Sequence, residues 1–484
     1  MQKANEFEHG LDGNSGIKRR FSKYANIQYT HDSAEELVKN TDDLSEMIKH
    51  HVEHQRPRLD VLDDYYKGDN TAISVLQRRK EDDKADHRAR HNYAKYVSNF
   101  MQGFLVGVPI AMSHKDESTQ AKIKQINETI EDAALNADLI LDLSIYGRAY
   151  ELLHRNHDDE VKVYLSSPLE TFLIYDNTIE KNIVAAVRYF VVGYGDNQKI
   201  KVELYTEKRI YTYYTSNLGD YSLKHDDDVE HPFGAVPINE HSNNRFRQGD
   251  FENVLDLIDL YDAAQSDTAN YMTDLNDAML KISGNLELTP EEAKKMKEAN
   301  ILFLKPASDN AEGKEGNVDA DYIYKQYDVS GSEAYKSRLQ IDIHKMTNTP
   351  DLTDSKINEQ SGVPQSGEAM KYKLFGLEQI RINKERLFKR SLNRRYKLIN
   401  NVMALASEAS DGEFEGLTYK FTPNLPKSTK DSVDMFNAVG GELSQETKLK
   451  IIPMIVEDPE EEQKKIDEER SQRRQSQSSR FMAN

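Results

Sequence analysis

Residues 250 to 283 limit the folds open to this chain more than any other stretch. Apolar or neutral side chains recur there in alternating steps of four and three, which predicts one helix of about 34 residues and roughly 50 Å. The members of this seam are Val254, Ile258, Tyr261, Gln265, Thr268, Met272, Leu275, Met279 and Ile282. Because such a seam needs packing partners along its whole length, the chain is predicted to be elongated or oligomeric.

The composition agrees with that prediction and excludes several classes of protein. Only 37% of the 484 residues are hydrophobic and 30% are charged, and the length corresponds to about three domains. The net charge of −19 argues against a general nucleic-acid coat, which needs a basic face. The absence of cysteine excludes disulfides and thiolate metal sites. The first residues lack the apolar core of a signal peptide.

Two predicted long helices carry opposite charges. The remaining faces of the 250–283 helix hold eight acids against Lys281: Asp250, Glu252, Asp256, Asp259, Asp262, Asp267, Asp274 and Asp277. This acidic face is either a solvated surface or the lining of a channel that repels a polyanion. A second helix, from Ser366 to about Ser407, has ten Lys or Arg and three Glu between residues 366 and 400. The two helices pair between subunits, or the basic one faces nucleic acid or an acidic neighbour.

Residues 96 to 114 test whether the chain enters a membrane. The stretch has no Asp, Glu, Lys or Arg, and it contains Gly103-x3-Gly107. Polar residues and Pro109 dilute its hydrophobicity below that of a typical span. We expect a buried helix that ends near Gly107, followed by an extended segment.

The rest of the chain predicts a mainly helical α+β fold. Helices are expected at 33–56, 88–107 and 117–146, and "YYKGDN" at 65–70 reads as a turn. From Arg148 to His231, short runs rich in Val, Ile, Tyr and Phe alternate with turn residues, which favours an antiparallel sheet or sandwich.

Residues 285 to 330 are predicted to form a small insertion. Thr289, Pro290 and Glu292 are typical of a capped helix start, and the short strands "ILFL" and "DYIYKQY" follow. A helix is expected at 332–346, then a polar loop at 348–366. In that loop Gly362-x4-Gly367 has the glycine spacing of a P-loop, but Glu368 and Ala369 replace the required Lys and Ser/Thr. We therefore expect no nucleotide site, and Ser366 is a candidate N-cap.

No pattern predicts an enzyme, a cofactor or a metal site. His50 and His54 lie one helical turn apart but lack a third ligand, so we expect them to be solvated. The run "HDDDVEH" at 225–231 lacks the glycine and spacing of a calcium loop and is interpreted as charge on a hairpin.

An ordered set of motifs carries a family resemblance. In sequence order these are "YYKGDN", "HNYAKYVSNFMQGFLVGVPI", "HPFGAVPINEHSNN", "GDFENVLDLIDLYDAAQSDTANYM", "SGEAMKYKLFGLEQIRINKERLFKR" and "NLPKSTKDSVDMFNAVGGELSQETKLKIIPMIVEDPEEEQKKIDEE". The chain resembles the portal proteins, or head–tail connectors, of long-tailed bacteriophages of Gram-positive hosts, over roughly residues 35 to 470.

The resemblance implies a portal fold with wing, stem, clip and crown regions, assembled as a cyclic ring, most often a dodecamer. The implied regions are a flexible N-terminus (1–30), wing (31–247), stem helix (248–284), clip (285–330), second stem helix (331–347), tunnel loop (348–366), long wing/crown helix (367–409), crown (410–475) and flexible tail (476–484). The ring would sit in the virion at one capsid vertex, after assembly in the host cytoplasm, and serve genome packaging, head–tail joining and DNA ejection.

The resemblance also implies partners and site residues. Double-stranded DNA would pass through the channel, and the protein partners would be the terminase large subunit, the major capsid and scaffolding proteins and a head-completion (adaptor) protein, with no membrane. The tunnel loop would offer Asp351, Asp354, Lys356, Asn358, Glu359, Gln360, Ser361 and Gln365. The stem would line the channel with Asp256, Asp259, Asp267, Asp274 and Asp277. The clip would contact terminase or adaptor through Glu291, Glu292, Lys294, Lys295 and Lys297. A cytosolic coiled-coil scaffold without a pore explains the long helices equally well.

Overall fold

The structure of the chain is a computed structural model. It describes residues 20–74, 85–216, 222–274, 279–283, 289–298, 301–304, 319–323, 328–351, 373–424, 436–439, 443–449, 456 and 462–471. Two compact units are formed, one from Met1–Leu352 and Gly376–Thr422, the other from Thr353–Phe375 and Pro423–Asn484.

In the first unit the described α-helices occur before residue 147 and after residue 254 of the sequence. They are α1 (Ala34–Lys39), α2 (Thr41–His50), α3 (Arg56–Lys67), α4 (Thr71–Ser74), α5 (Tyr93–Val106), α6 (Glu117–Thr129), α7 (Asp132–Tyr146), α8 (Leu255–Asp274), α9 (Pro290–Glu298), α10 (Val329–Thr347) and α11 (Phe375–Leu405). A π-helical turn, His51–Gln55, joins α2 to α3. None of the helices in the described part is long and apolar enough to span a bilayer.

The strands form four sheets. They are β1 (Tyr29–Thr30), β2 (Ala111–Ser113), β3 (Arg148–Arg155), β4 (Val161–Ser166), β5 (Thr171–Tyr175), β6 (Ile183–Val192), β7 (Lys199–Tyr205), β8 (Arg209–Thr215), β9 (Lys224–Glu230), β10 (Ile238–Ser242), β11 (Met279–Ser283), β12 (Ile301–Leu304), β13 (Asp319–Ile323) and β14 (Thr418–Lys420). Their orders are β1-β5-β6-β7-β8-β9, β10-β3-β4, β12-β11-β13 and β14-β2. The predicted strand-rich region is confirmed, although β1 joins β5 in parallel.

Four apolar clusters are buried in the described part of the first unit; one lies between the six-stranded sheet and the β10-β3-β4 sheet, around Tyr150 and Ile238, and the other three position helices. One packs α5, α6 and α7 against α11, with Leu139, Phe388 and Ile399 fully buried. A second places α2 on the face of the six-stranded sheet. The third joins α3, α5 and α7 to α8 and α10. Helices α8 and α10 are therefore each anchored at one end on the rest of the first unit, which we call the body.

Two chain segments cross closely just before α8 begins, one at Gly147 and the other at Arg247 and Gln248. Gly147 has φ +80°, and a Cβ there would lie 2.2 Å from the carbonyl oxygen of Arg247. Arg58 fastens the same crossing, since its side chain forms two hydrogen bonds to the carboxylate of Glu252, of 2.7 and 2.5 Å. Only glycine fits the backbone at position 147, because the left-handed conformation and the lack of space both exclude a side chain.

Several predicted boundaries differ from the structure. The first helical region extends to Lys67, where Gly68 ends it in the left-handed conformation. The 88–107 helix begins only at Tyr93, because the Asn92 side chain caps it. The 117–146 helix is interrupted at Glu131, which has φ 52°. The predicted end of the 96–114 helix near Gly107 is confirmed.

The prediction of a flexible N-terminus is wrong for residues 20–30. Tyr29 is buried, and β1 pairs with β5 through Tyr29 and Thr30. Residues 1–19, like the tail at 476–484, lie outside the described residues.

The histidines near residue 50 are not solvated as expected. The rings of His50 and His54 contact each other at a tilt of 53°, with 4.6 Å between their centroids, and His50 packs edge-on against Tyr29. Burial, and then the neighbouring His54, lowers the pKa of His50 to about 4. His51 is fully buried, and its Nδ1 lies 2.7 Å from the Tyr189 hydroxyl. The π-helical turn therefore carries a packed aromatic cluster.

The second unit contains the short helix α12 (Gln445–Leu449) and a helix at 462–471. Leu449 and Val456 form its buried cluster, with Phe436 and Ile466 packed against them.

Candidate functional site: the helix pair and its insertion

Helices α8 and α10 pack along each other and frame the insertion. Val254, Ile258 and Tyr261 of the predicted seam are buried in one cluster with Leu339 and Ile343 of α10. Further along the seam, packing becomes polar. There the buried amine of Lys336 lies 3.5 Å from the side-chain oxygens of Gln265 and of Thr268. The seam is thus confirmed as a packing surface up to Thr268.

The predicted helix over 250–283 is too long. Within the described residues α8 ends at Asp274, and Met279–Ser283 is the strand β11. This strand pairs in parallel with β12 and antiparallel with β13. The backbone hydrogen bonds of two distant strands therefore decide the conformation of a segment whose own spacing suits a helix.

An extended segment covers one face of α8. In residues 85–92, which we call the strap, the backbone N–H groups of His87, Ala89 and His91 donate to side chains of α8. The acceptors are Asn270 Oδ1 at 2.7 Å, Ser266 Oγ at 2.9 Å and Asp262 Oδ1 at 2.9 Å. Alternate residues of an extended chain are about 6.8 Å apart, close to the roughly 6 Å of four helical residues. The strap can therefore bond to successive turns of the helix.

Asp262 is the most deeply buried of the α8 acids whose side chains the structure describes. Besides the His91 amide, it accepts a hydrogen bond from Asn70 Nδ2 at 2.8 Å, and its side chain is fully buried. The predicted acidic face therefore does not include this residue, because its charge is satisfied inside the chain.

Two further acids of α8 bind Arg20. Its Nη1 atom lies 2.7 Å from both Asp256 Oδ1 and Asp259 Oδ2. The Tyr65 hydroxyl donates to the other oxygen of Asp259. Burial, and then this hydrogen bond, raises the pKa of Tyr65 well above its usual value. Asp259 therefore holds the N-terminal segment and α3 on α8, whereas Asp256 stays exposed.

The other predicted stem acids divide into two groups. Asp267 is exposed on α8. Asp277 and the side chain of Asp274 lie outside the described residues. The exposed acidic surface of α8, as far as it is described, thus consists of Asp256 and Asp267.

The insertion begins with the predicted capping box. The Thr289 amide donates to Glu292 Oε2 at 3.0 Å, and the Glu292 amide donates back to Thr289 Oγ1 at 3.4 Å. Hydrogen bonds from Thr289 lower the pKa of the exposed Glu292. Glu291, Lys294 and Lys295 are exposed on α9, while the side chain of Lys297 lies outside the described residues. The short helix α9 therefore exposes acidic side chains near its start and basic side chains in its middle.

The polar loop is described only at its start. Tyr96 OH donates to the carbonyl oxygen of Pro350 at 2.9 Å, and Gln340 Nε2 donates to Asp351 at 3.2 Å. The remaining candidate loop residues lie outside the described residues, together with the Ser366 cap: Asp354, Lys356, Asn358, Glu359, Gln360, Ser361 and Gln365.

Several cations of α11 bind acidic residues of the same chain. Lys384 of α11 forms an ion pair with Asp250, which lies just before α8. Arg395 donates to Glu151 through Nε at 2.8 Å and Nη2 at 2.5 Å, with both side chains fully buried. Burial alone would raise the pKa of Glu151, but Arg395 and then His241 hold it well below its usual range. Of the three sequence alternatives, the acidic neighbour is confirmed for these two cations.

Sequence reasoning missed the strap and Arg20. The row Asp262, Ser266 and Asn270 was a usable signal, because three small hydrogen-bond acceptors at four-residue spacing mark one helix face beside the apolar seam. No local signal identified Arg20, whose partners are 236 and 239 residues away.

Comparisons with known proteins place the chain in a family. The family model described as phage portal protein, SPP1 Gp6-like, matches residues 45–476. The portal protein of Bacillus phage SPP1 is 23% identical over 412 residues, which span 82% of this chain and 78% of that protein. The portal protein of Clostridium phage phiCD119 is 26% identical over 240 residues, 44% of this chain and 51% of that protein.

Two solved structures align more weakly. The neck of an empty gene transfer agent particle and the virion of the native particle each cover 74% of this chain and 88% of their own, at 12% identity. Their TM-scores of 0.38 and 0.36 are too low to support an argument about this fold. The family match over residues 45–476 covers most of the chain and is sufficient by itself to assign the family. The resemblance seen in the sequence is confirmed, and the chain belongs to the family of phage portal proteins of the SPP1 Gp6 type.

Proposed function

We propose that copies of this chain close into a ring, most often of twelve, around a channel for double-stranded DNA. The family assigns the chain to the portal of a phage particle, the DNA channel at one capsid vertex. The match over residues 45–476 is the observation that carries the function. The role is structural, and the ATPase that drives packaging is a separate terminase.

Exposed apolar side chains on the helix pair support assembly. Leu260 and Met272 of α8 and Ile341 and Met346 of α10 are each about half exposed in the single chain. A neighbouring copy packed on these helices would bury them, which is the main favourable term in protein association. Heterologous contacts of this kind close into rings when the rotation between copies is an integral fraction of a turn.

We assign the regions of the portal to the structure as follows. The stem consists of α8 and α10, with β11 to β13 and α9 as the clip at its end. Residues 31–247 form the wing, residues 348–366 the tunnel loop, α11 the long wing/crown helix and residues 410–475 the crown. Compared with the sequence-based assignment, the first stem helix is shorter and β11 moves into the clip.

The partners follow from this assignment. The clip would meet the terminase large subunit during packaging and the head-completion (adaptor) protein afterwards, while the wing would meet the major capsid and scaffolding proteins. Assembly would take place in the host cytoplasm, before the portal becomes part of the virion.

Electron microscopy of the purified chain tests the ring directly. Closed rings with a central hole are the expected result. Monomers or filaments at micromolar concentration would favour the coiled-coil scaffold and overturn the proposal.

The channel wall is tested by reversing the two exposed acids of α8. Asp256→Lys with Asp267→Lys should tighten DNA binding to the ring. For each phosphate that is neutralised, the slope of the logarithm of the binding constant against the logarithm of the salt concentration should become more negative by about 0.9. Packaging should slow, because attraction resists sliding. Asp259 is left intact because it also binds Tyr65, and Arg20 then keeps one of its two carboxylate partners. Asp158→Lys, on an exposed turn of the wing, is the control. Unchanged packaging and DNA binding would show that α8 does not line the channel.

The clip is tested on its own charges. Lys294→Glu with Lys297→Glu should leave rings intact and block packaging by purified terminase. The matched control reverses two exposed lysines elsewhere, Lys115 and Lys124. Normal packaging by the clip variant would mean that terminase binds another surface.

A further inference from the structure

A basic groove separates α11 from the turn that joins β5 to β6. The groove has a volume of about 720 Å³. Its α11 wall carries Arg390, Arg394 and Lys397, and the facing turn contributes Lys181. Because the three α11 cations are four and three residues apart, they lie on one face of the helix. These four residues define the basic groove.

The groove contains two of the α11 cations that have no ion pair among the described residues. Other cations of this helix bind carboxylates of the same chain, namely Arg381, Lys384, Lys389 and Arg395. Arg390 and Lys397, in contrast, have no ion pair with any residue that the structure describes. The result is a row of like charges on a chain whose net charge is −19.

The floor of the groove does not neutralise this row. Arg394 donates to the carbonyl oxygens of Ile238 and Val236, both at 2.8 Å, and burial lowers its pKa to about 10. The nearby carboxylate of Glu240 is bound by Arg247 at 2.9 Å. The groove therefore keeps an excess of positive charge that an anionic side chain from outside can balance.

The opposite charge stands on the edge strand β9. This strand is at one end of the six-stranded sheet, and all of its residues except Asp228 are exposed. Arg209 of the same chain binds Asp228 and Glu230. Asp226 and Asp227 have no cation partner within the described ranges. The acids that remain are therefore next to each other at an open edge, which we call the acidic edge.

The shape of β9 at this point favours contact with another surface. The strand register runs from Asp227 opposite Thr212 to His225 opposite Tyr213, so Asp226 lies in a bulge. Bulges bend a strand and redirect its side chains. The two surfaces also share an apolar element, since Ile179 at the rim of the groove is fully exposed and Val229 of β9 is 56% exposed.

We propose that the basic groove of one copy receives the acidic edge of the next copy. The contact joins two different surfaces of the same chain, which is the arrangement that generates a closed ring. This inference rests on the proposed ring and adds the residues at which its wings meet. The acidic edge brings two carboxylates for Arg390 and Lys397, and its exposed Val229 can pack on Ile179 at the rim of the groove.

Charge exchange between the two surfaces provides the test. Arg390→Glu with Lys397→Glu, and separately Asp226→Lys with Asp227→Lys, should each raise the concentration for half-assembly at least tenfold in mass photometry. Mixing the two variants should restore mixed assemblies, because each supplies the partner that the other requires. The combination of all four substitutions in one chain should restore rings. Lys115→Glu with Lys124→Glu, which changes the charge equally at exposed sites, should assemble like the wild type.

The natural absence of cysteine allows a second test by cross-linking. A chain with Arg390→Cys and Asp226→Cys should give a ladder of covalent oligomers on mild oxidation, while each single variant should stop at dimers. Wild-type assembly by either charge-reversed variant, or no rescue in the combined chain, would overturn the inference and leave the ring intact. Reversed groove variants that form rings but lose DNA binding would assign the groove to nucleic acid instead. A wild-type chain that forms no ring would refute the proposed function itself.

Discussion

Helices α8 and α11 both carry a large charge, but they use it differently. The buried cations of α11 meet carboxylates: Arg395 binds Glu151, and Lys384 binds Asp250. Asp262, the buried acid of α8, meets neutral donors instead, in the strap backbone and Asn70, with His91 beside it.

The difference shows what each charge does for the fold. A buried ion pair depends on both partners, because loss of one leaves an uncompensated charge in the interior. An acid held by amides depends on a segment of backbone, and each bond contributes modestly. We therefore expect α11 to determine the stability of the body, and α8 to determine the attachment of the strap.

The largest effect should come from breaking the buried pair of α11. Arg395→Met leaves the carboxylate of Glu151 buried without its main partner, which should cost about 3–5 kcal/mol in the free energy of unfolding. Urea denaturation of the variant measures this loss. Adding Glu151→Gln should recover most of it, since no buried charge remains.

Arg386→Met serves as the matched control on the exposed face of the same helix. This change should stay within about 0.5 kcal/mol. Equal effects of the two arginines would contradict the distinction between buried and exposed cations.

A carboxylate without a partner extends the comparison to α7. Asp142 has no hydrogen bond or ion pair among the described residues. Burial, followed by Asp138 and Asp63, raises its pKa to about 8. Between its ordinary pKa and this value the folded chain binds one proton more than the unfolded chain, so stability should fall as pH rises from about 4 to 8.

The size of this pH effect is at most about 1.4 kcal/mol per pH unit for one group. Asp142→Asn should remove that component, so its stability relative to the wild type should increase from pH 5 to pH 8. Thermal unfolding across this range measures the difference, with Asp158→Asn on an exposed turn as control. A constant difference between Asp142→Asn and the wild type would mean that Asp142 is ionised throughout.

The smallest effect concerns a single bond of the strap. Ser266→Ala removes the acceptor of the Ala89 amide and should cost about 1 kcal/mol. Hydrogen exchange at Ala89 should become faster, while amides in the α7 core remain protected. Asp267→Asn, on the exposed side of α8, should leave exchange at Ala89 unchanged. A loss of protection throughout the chain would instead indicate global destabilisation.

The sequence predicted features that local chemistry determines. The capping box of Thr289 and Glu292 formed because both partners are three residues apart. The strands between Arg148 and His231 followed from their β-branched and aromatic runs, and Gly68 ends its helix because it accepts a left-handed backbone. The family was recognisable because several short motifs occur in a fixed order.

Features that depend on distant residues were not predictable. Met279 and Ile282 have helical spacing, yet strands β12 and β13 make their segment a strand. The signs of the two long helices were read correctly, but the partners Lys384 and Asp250 are 134 residues apart. Charge counts therefore predicted the sign of the net charge on each helix. They could not show which charged side chains pair inside the chain and which remain available to a partner.

The strap has a mechanical consequence for α8. Its three amides bond to side chains on successive turns of one helix face, at Asp262, Ser266 and Asn270. Any rotation of α8 about its own axis would carry all three acceptors out of reach together. The helix can tilt or shift along with the strap, but turning requires simultaneous release of the whole row. Asp256 and Asp267 are thereby held in a fixed orientation about the helix axis, so a twisting force on α8 would be transmitted through residues 85–92 to α5, which follows the strap.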